Sequence, residues 1–137
     1  MSDSPEGFRP IPRLSPFNAL VGPLYERRRG DEDSIGLRIE QKHTNSRGIC
    51  HGGVLATLAD LALGYAMIAK TGSDAAFVTA HLALDYAGAA RVGDWIESQA
   101  DIQRVGARLA FANCYLIASG KRIVHASALF ARAENSA

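Results

Sequence analysis

Between Val54 and Ala69 the chain carries one charged residue, Asp60, in a run rich in Ala and Leu. An ionised carboxylate among apolar side chains is costly unless it is paired or hydrogen-bonded. A segment built only to pack would hold Ala or Leu there. Just ahead of the run stands His51-Gly52-Gly53. The first backbone N–H groups of a helix lack internal partners and form the positive end of its dipole. Glycine at such a point lets a ligand approach the backbone closely. Such N–H groups polarise a carbonyl oxygen and stabilise the oxyanion formed when the carbonyl is attacked. The plainer readings are a structural aspartate at a subunit seam or facing water, and glycines that only permit a tight turn.

Helix geometry separates the two features. Gly52 and Asp60 are eight residues apart, about 12 Å along a helix that rises 1.5 Å per residue. Reacting groups must meet within about 3–3.5 Å. One helix therefore does not place its own Gly52 N–H and its own Asp60 on the same carbonyl, whereas two helices running antiparallel can. The expectation is a symmetric homodimer with two sites, each combining Gly52 of one subunit with Asp60 of the other.

The elements that must position these residues read as follows. Residues 1–33 are expected to be an N-terminal arm: residues 1–15 contain Pro5, Pro10 and Pro12, and Pro16 opens a short helix through Phe17, Leu20, Val21 and Leu24. The charged run from Glu26 to Asp33 reads as a solvated connection. Ser34 to Gln41 alternates as a first strand, and His43 to Cys50 is a polar loop. Gly52-Gly53 then opens a helix, apolar nearly all round and so buried on most sides. Beyond Thr71-Gly72-Ser73-Asp74 the period becomes two. Strands are expected at Phe77 to Tyr86, Trp95 to Arg104, Leu109 to Ser119 and Arg122 to Arg132, with hairpin turns at Gly106 and Ser119-Gly120. In the first of these, Val78, Ala80, Leu82, Leu84 and Tyr86 alternate against Thr79, His81 and Asp85, so that Thr79 and His81 share a face. One strand, one helix and four strands make an α+β protein with an antiparallel sheet on one long helix. The domain spans 34–132, and 133–137 form a C-terminal tail.

Composition sets the outer bounds. The 137 residues suit one domain, and 47% hydrophobic residues are enough for a core. A net charge of +1 gives no reason to expect nucleic acid or an anionic membrane as partner. The 16-residue run from Val54 to Ala69 is shorter than the roughly 20 residues of a membrane span. The N-terminus lacks an apolar signal core. The two cysteines, Cys50 and Cys114, have no metal-ligand spacing around them and read as free thiols in a reducing compartment. A cytoplasmic protein without a metal is expected.

The segment His43-Thr44-Asn45-Ser46-Arg47-Gly48-Ile49-Cys50-His51-Gly52-Gly53, continuing to Leu58-Ala59-Asp60, resembles the hotdog-fold thioesterases of the phenylacetate-degradation (PaaI-like) branch. The likeness in element order covers roughly residues 34–132. It implies a hotdog fold, with a five-stranded antiparallel sheet wrapped around the long helix, and dimers that often pair into tetramers. It implies hydrolysis of an acyl-CoA thioester, aromatic or medium-chain, with no cofactor beyond the coenzyme A of the substrate. By the same resemblance, Asp60 is nucleophile or general base and Gly52 N–H polarises the thioester carbonyl. Asn45 holds water or substrate near the neighbour's Asp60, His51 supports the loop or assists near the thioester, and Thr79 positions water.

Other residues weigh less. Cys50 beside His51 has the composition of a nucleophile pair, but sequence neighbours seldom make one and no third residue orients it. His81 and His125 read as structural strand residues, and His43 as a loop residue without chemistry. Asp85 and Asp101 read as exposed strand residues. Arg91, Arg104, Arg108, Lys121 and Arg122 lie near strand ends and turns, and the first four are candidates for the phosphates of coenzyme A. Two rival functions share the fold: a hydratase or dehydratase acting on enoyl or 3-hydroxyacyl thioesters, and a non-catalytic acyl-CoA-binding module.

Overall fold

A computed structural model of the protein describes residues 4–72 and 77–133. The turn at Ser73-Asp74 and the tail from 134 lie outside the described residues.

Seven strands form one antiparallel sheet: β1 (Arg9–Pro10), β2 (Tyr25–Arg29), β3 (Glu32–Arg38), β4 (Phe77–Tyr86), β5 (Trp95–Val105), β6 (Leu109–Ala118) and β7 (Lys121–Arg132). Their order across the sheet is β1-β2-β3-β5-β6-β7-β4. Helix α1 (Pro16–Val21) lies between β1 and β2 in sequence, and the long helix α2 (Gly52–Thr71) lies between β3 and β4. The expected α+β architecture and the four strands after the helix are present, and this is the hotdog arrangement.

The strand count is seven rather than five, because the expected arm and connection are part of the sheet. Glu26–Asp33 is no solvated connection: β2 and β3 form a hairpin around Gly30 (φ 61°), with Glu26 opposite Ile35 and Arg28 opposite Asp33. Charge hid the strand, since Tyr25-Glu26-Arg27-Arg28-Arg29 has no apolar alternation. Its charges find partners instead. The Arg27 guanidinium lies 4.5 Å from the centre of the Phe8 ring and pairs with Glu97 at 3.2 Å. Phe8 and Tyr25 both meet the edge of Trp95. The Trp95 indole lies so close over Gly36 that a Cβ there would sit 2.1 Å from its ring, so only glycine fits. Phe8, Ile11 and Leu24 are buried, and this tethers a segment that carries no periodic signal. Leu24, expected on the short helix, lies beyond the end of α1.

Helix α2 covers one face of the sheet. Leu55, Leu58, Ala59, Ala62, Leu63 and Met67 are buried against it. A buried Leu or Met side chain contributes roughly 1.5–3 kcal/mol, so this face holds much of the fold together. By length and composition the 20-residue helix could cross a membrane, but here it closes the core. The opposite face, through Gly53, Thr57, Asp60, Gly64 and Ile68, is left half-buried or exposed. Burial on most sides is therefore not met within one chain.

One polar group pays for the hairpin. Asp33 is 5% exposed, and one of its oxygens has no hydrogen-bond partner among the described residues. Burial, followed by the neighbouring Glu26 carboxyl, pushes Asp33 up to about 7. The folded state then holds a proton that the unfolded chain releases near pH 4, so stability falls as pH rises from about 4 to about 7. Asp33→Asn is expected to flatten this slope and to raise the melting temperature at pH 8. Thermal scans from pH 4.5 to 8 check it, and equal slopes in both proteins would refute it.

Candidate active site

Within the loop before α2, backbone bonds do most of the positioning. Asn45 N–H donates to Ile49 O at 2.8 Å, Gly48 N–H to Asn45 O at 3.0 Å, and Cys50 N–H to Ala90 O at 2.8 Å. Gly48 takes φ 77°, a left-handed value that favours glycine. His51 N–H donates to His43 O at 2.7 Å and draws the helix start onto the loop. His43 is buried, with both ring nitrogens occupied: Nδ1 accepts from Glu40 N–H at 2.9 Å, and Nε2–H donates to Val21 O. These bonds tie α1 to the site loop.

His51 is the N-cap of α2, and its Nδ1 accepts from Gly53 N–H at 2.8 Å. This supports the loop-holding role and leaves Nε2 exposed. The two glycines then differ. A Cβ on Gly53 would meet His51 Nδ1 at 3.0 Å, so Gly53 makes room for the cap. A Cβ on Gly52 would come no closer than 3.5 Å to anything, an ordinary contact with the Tyr86 ring. Neither glycine has positive φ. At the first position of the helix, Gly52 is required neither by the room around it nor by its backbone angles. Its N–H has no acceptor among the described residues, which is what an oxyanion donor requires.

Asp60 is half-buried on the uncovered face of α2, and its Oδ1 accepts from Thr79 Oγ1 at 2.7 Å. Its Oδ2 has no partner among the described residues, and no cation pairs with it. The carboxylate is thus oriented by a hydroxyl and keeps one oxygen for substrate or water. Thr79 reaches it because β4 departs from simple alternation. Thr79 pairs with Phe130 and His81 with Leu129, with Ala80 bulged between them. The bulge puts Thr79 on the helix side with Leu82 and Leu84 and turns His81 away. Thr79 and His81 do not share a face; a period of two read straight through the strand misses the extra residue.

Asn45 Oδ1 accepts from the N–H groups of Arg47 (2.9 Å) and Ile49 (3.4 Å), an Asx-type turn. Its side-chain amide makes no bond among the described residues, and within one chain Asn45 does not bond Asp60. Cys50 is buried, and burial pushes its thiol up to about 11; Cys114 is raised to about 12 for the same reason. Neither is the thiolate that nucleophilic attack needs. The four candidate phosphate ligands are exposed and lie in two places. Arg91 bridges Ile49 beside the site loop, and Lys121 begins β7 near the Tyr86 end of β4. Arg104 and Arg108 flank the turn at the Phe77 end. Arg122 stacks on the Tyr115 ring, His125 and Asp85 stand 3.7 Å apart on the sheet's outer side, and Asp101 is an exposed β5 residue. No cluster suited to a metal ion occurs among the described residues.

One residue was missed: Tyr86, read only as part of the apolar alternation. Its hydroxyl donates to Gly52 O at 2.8 Å. Its phenol at the end of a strand that already holds Thr79 was the available signal.

A single long helix on an antiparallel sheet, carrying a free N–H at its start and an oriented carboxylate two turns on, defines a hotdog-fold protein with the parts of a thioesterase. The chain belongs to the thioesterase superfamily, whose sequence model matches residues 47–125. It is 42% identical to the Pseudomonas aeruginosa protein named "Putative esterase PA0474", over 95% of this chain and 98% of that one. It is 33% identical to mouse acyl-coenzyme A thioesterase 13, over 65% and 69%. Among solved structures, zebra fish thioesterase superfamily member 2 superposes with a TM-score of 0.79 at 27% identity, covering 87% of this chain and 88% of that one. The phenylacetic acid degradation protein PaaI of Thermus thermophilus shares the fold with a TM-score of 0.77 at 22% identity, covering 87% and 100%.

The buried thiols supply a check on the site. Ellman's reagent at pH 8 is expected to titrate neither cysteine in the folded protein and both of the two after unfolding in guanidinium. Rapid labelling of Cys50 in the native state would reopen it as a nucleophile.

Proposed function

We propose that the protein hydrolyses acyl-CoA thioesters to a carboxylic acid and free coenzyme A at sites shared between two subunits. The observation that carries this reading is the Asp60 carboxylate, held by Thr79 on an otherwise uncharged helix face with one oxygen free. The name of the mouse relative supports coenzyme A thioesters as substrates. The PaaI likeness makes arylacetyl groups the first to test, with medium-chain groups beside them.

In this reading the partner's Gly52 N–H binds the thioester oxygen. Asp60 either attacks the carbonyl carbon and expels the coenzyme A thiolate, giving a mixed anhydride that water hydrolyses with a proton passing to the thiolate, or takes a proton from water as it attacks. In the second route the tetrahedral oxyanion collapses, expels the coenzyme A thiolate, and the proton returns from Asp60 to sulfur. Asn45 contributes its free amide to water or substrate. No cofactor enters either route. Two buried, unpaired cysteines suit a reducing compartment, and the cytoplasm is the proposed location.

Two features favour the dimer. Strand β4 ends the sheet with ten residues and an unpaired edge, where Val78 and Tyr86 are more than half exposed; such edges invite pairing with another chain. The uncovered face of α2 carries Gly64 and Ile68 beside Asp60, a surface on which a second helix can pack. Antiparallel pairing of β4 edges would bring the Phe77 end of one subunit beside the Tyr86 end of the other. Arg104 and Arg108 would then approach a site from one subunit, and Arg91 and Lys121 from the other, to hold the phosphates. A pair of dimers is the proposed larger assembly.

Thiol release across a panel of aromatic and aliphatic acyl-CoAs tests the activity. Asp60→Asn is expected to lower kcat by roughly 10²–10⁴-fold, the range for a lost acid–base group, with little change in melting temperature. Near wild-type turnover in that variant would remove Asp60 from the chemistry. Light scattering is expected to give about 29 kDa or its double, against 14.6 kDa for one chain; an active monomer would refute the shared site.

A further inference from the structure

We propose that Tyr86 is the positioning residue of the oxyanion half-site: it fixes the Gly52 N–H for the thioester held by the other subunit's Asp60. This rests on the hydrolase reading above. Gly52 and Gly53 open α2 with two residues of unusual backbone freedom. Gly53 is held by the His51 cap. Gly52 has one side-chain anchor among the described residues, the Tyr86 hydroxyl donating to its carbonyl at 2.8 Å. The ring also lies against Gly52, with Cε1 and Cζ 3.5 Å from where a Cβ would stand.

Within one chain, burial does not account for the ring's place. Tyr86 is 53% exposed, so hydrophobic transfer holds it weakly compared with Leu82 and Leu84 on the same side of β4. What the ring gains is the bond to Gly52 and contact with a backbone bare of any side chain. An oxyanion donor must point within a few tenths of an ångström of where charge develops. A loose Gly52 would sample that direction only part of the time. Strand β4 thus fastens both reactive groups of its chain, Asp60 through Thr79 and Gly52 through Tyr86. In a shared-site dimer those two fasteners serve different sites.

The test uses Tyr86→Phe, which keeps the ring and removes the hydroxyl. Its kcat is expected to fall about tenfold, with KM within about twofold and the melting temperature within about 2 °C. A fall in melting temperature with kcat unchanged would make the bond merely structural and overturn the proposal. A second measurement assigns the site. Differently tagged Asp60→Asn and Tyr86→Phe chains are co-expressed, and the doubly tagged protein is purified and assayed at a dilution where light scattering shows dimers, so that each particle holds one chain of either kind. If Tyr86 acts through its own Gly52 on the other subunit's carboxylate, this dimer keeps one fully native site and runs at about half the wild-type rate. A rate near one twentieth would mean that Tyr86 serves its own Asp60, which overturns the proposal. Absence of coenzyme A release by the wild-type protein would instead strike the hydrolase reading, and is seen before any variant is made.

Discussion

The hydrogen bond from Thr79 to Asp60 depends on one extra residue in β4. With Ala80 bulged out, Thr79 faces the helix while the strand beyond it keeps Leu82 and Leu84 in the core. Without the bulge, either Thr79 would turn away or those leucines would leave the core, because a one-residue slip exchanges the faces of a strand. The first outcome strips a half-buried carboxylate of its only donor among the described residues; the second removes apolar surface from the helix–sheet contact. One irregularity therefore reconciles packing with chemistry. Bulges commonly re-aim side chains beside active sites in this way.

The loop before α2 shows a similar division between support and chemistry. His43, buried, gathers the end of α1, the turn at Glu40 and the start of the helix through four hydrogen bonds. The end of α1 thus helps to hold the loop before α2 in place. Of the two glycines, Gly53 is demanded by the His51 ring, and Gly52 by no close contact among the described residues. Gly52 is also the residue whose N–H has no acceptor among the described residues.

How legible this was in the sequence depended on contrast. Asp60 stood out because every other residue from Val54 to Ala69 is uncharged, and the strands after the helix stood out because their apolar residues alternate. The helix start was legible from His51-Gly52-Gly53, though which glycine served which purpose was not, since that turns on the direction of the His51 ring. The strand Tyr25–Arg29 was illegible because its side chains are charged and its stability comes from Phe8, Trp95 and Glu97, which lie far off in sequence. Thr79 was identified by resemblance but placed on the wrong face, since a bulge leaves no compositional mark at Ala80. Tyr86 was hidden in plain alternation, where a phenol and an aliphatic side chain look alike.

In the shared-site proposal, strand β4 accounts for two halves of one chain that do not meet. It is the edge of the sheet, it lies along α2, and it holds the Asp60 carboxylate near its start and the Gly52 carbonyl at its end. The spacing of those groups on the helix, about 12 Å, is too long for one carbonyl. It suits two chains related by a two-fold axis along the β4 edge, where each half faces its complement. A change that loosened the edge would then separate the halves and expose the apolar helix face together. Association and catalysis would share one strand, and selection for either would preserve the other.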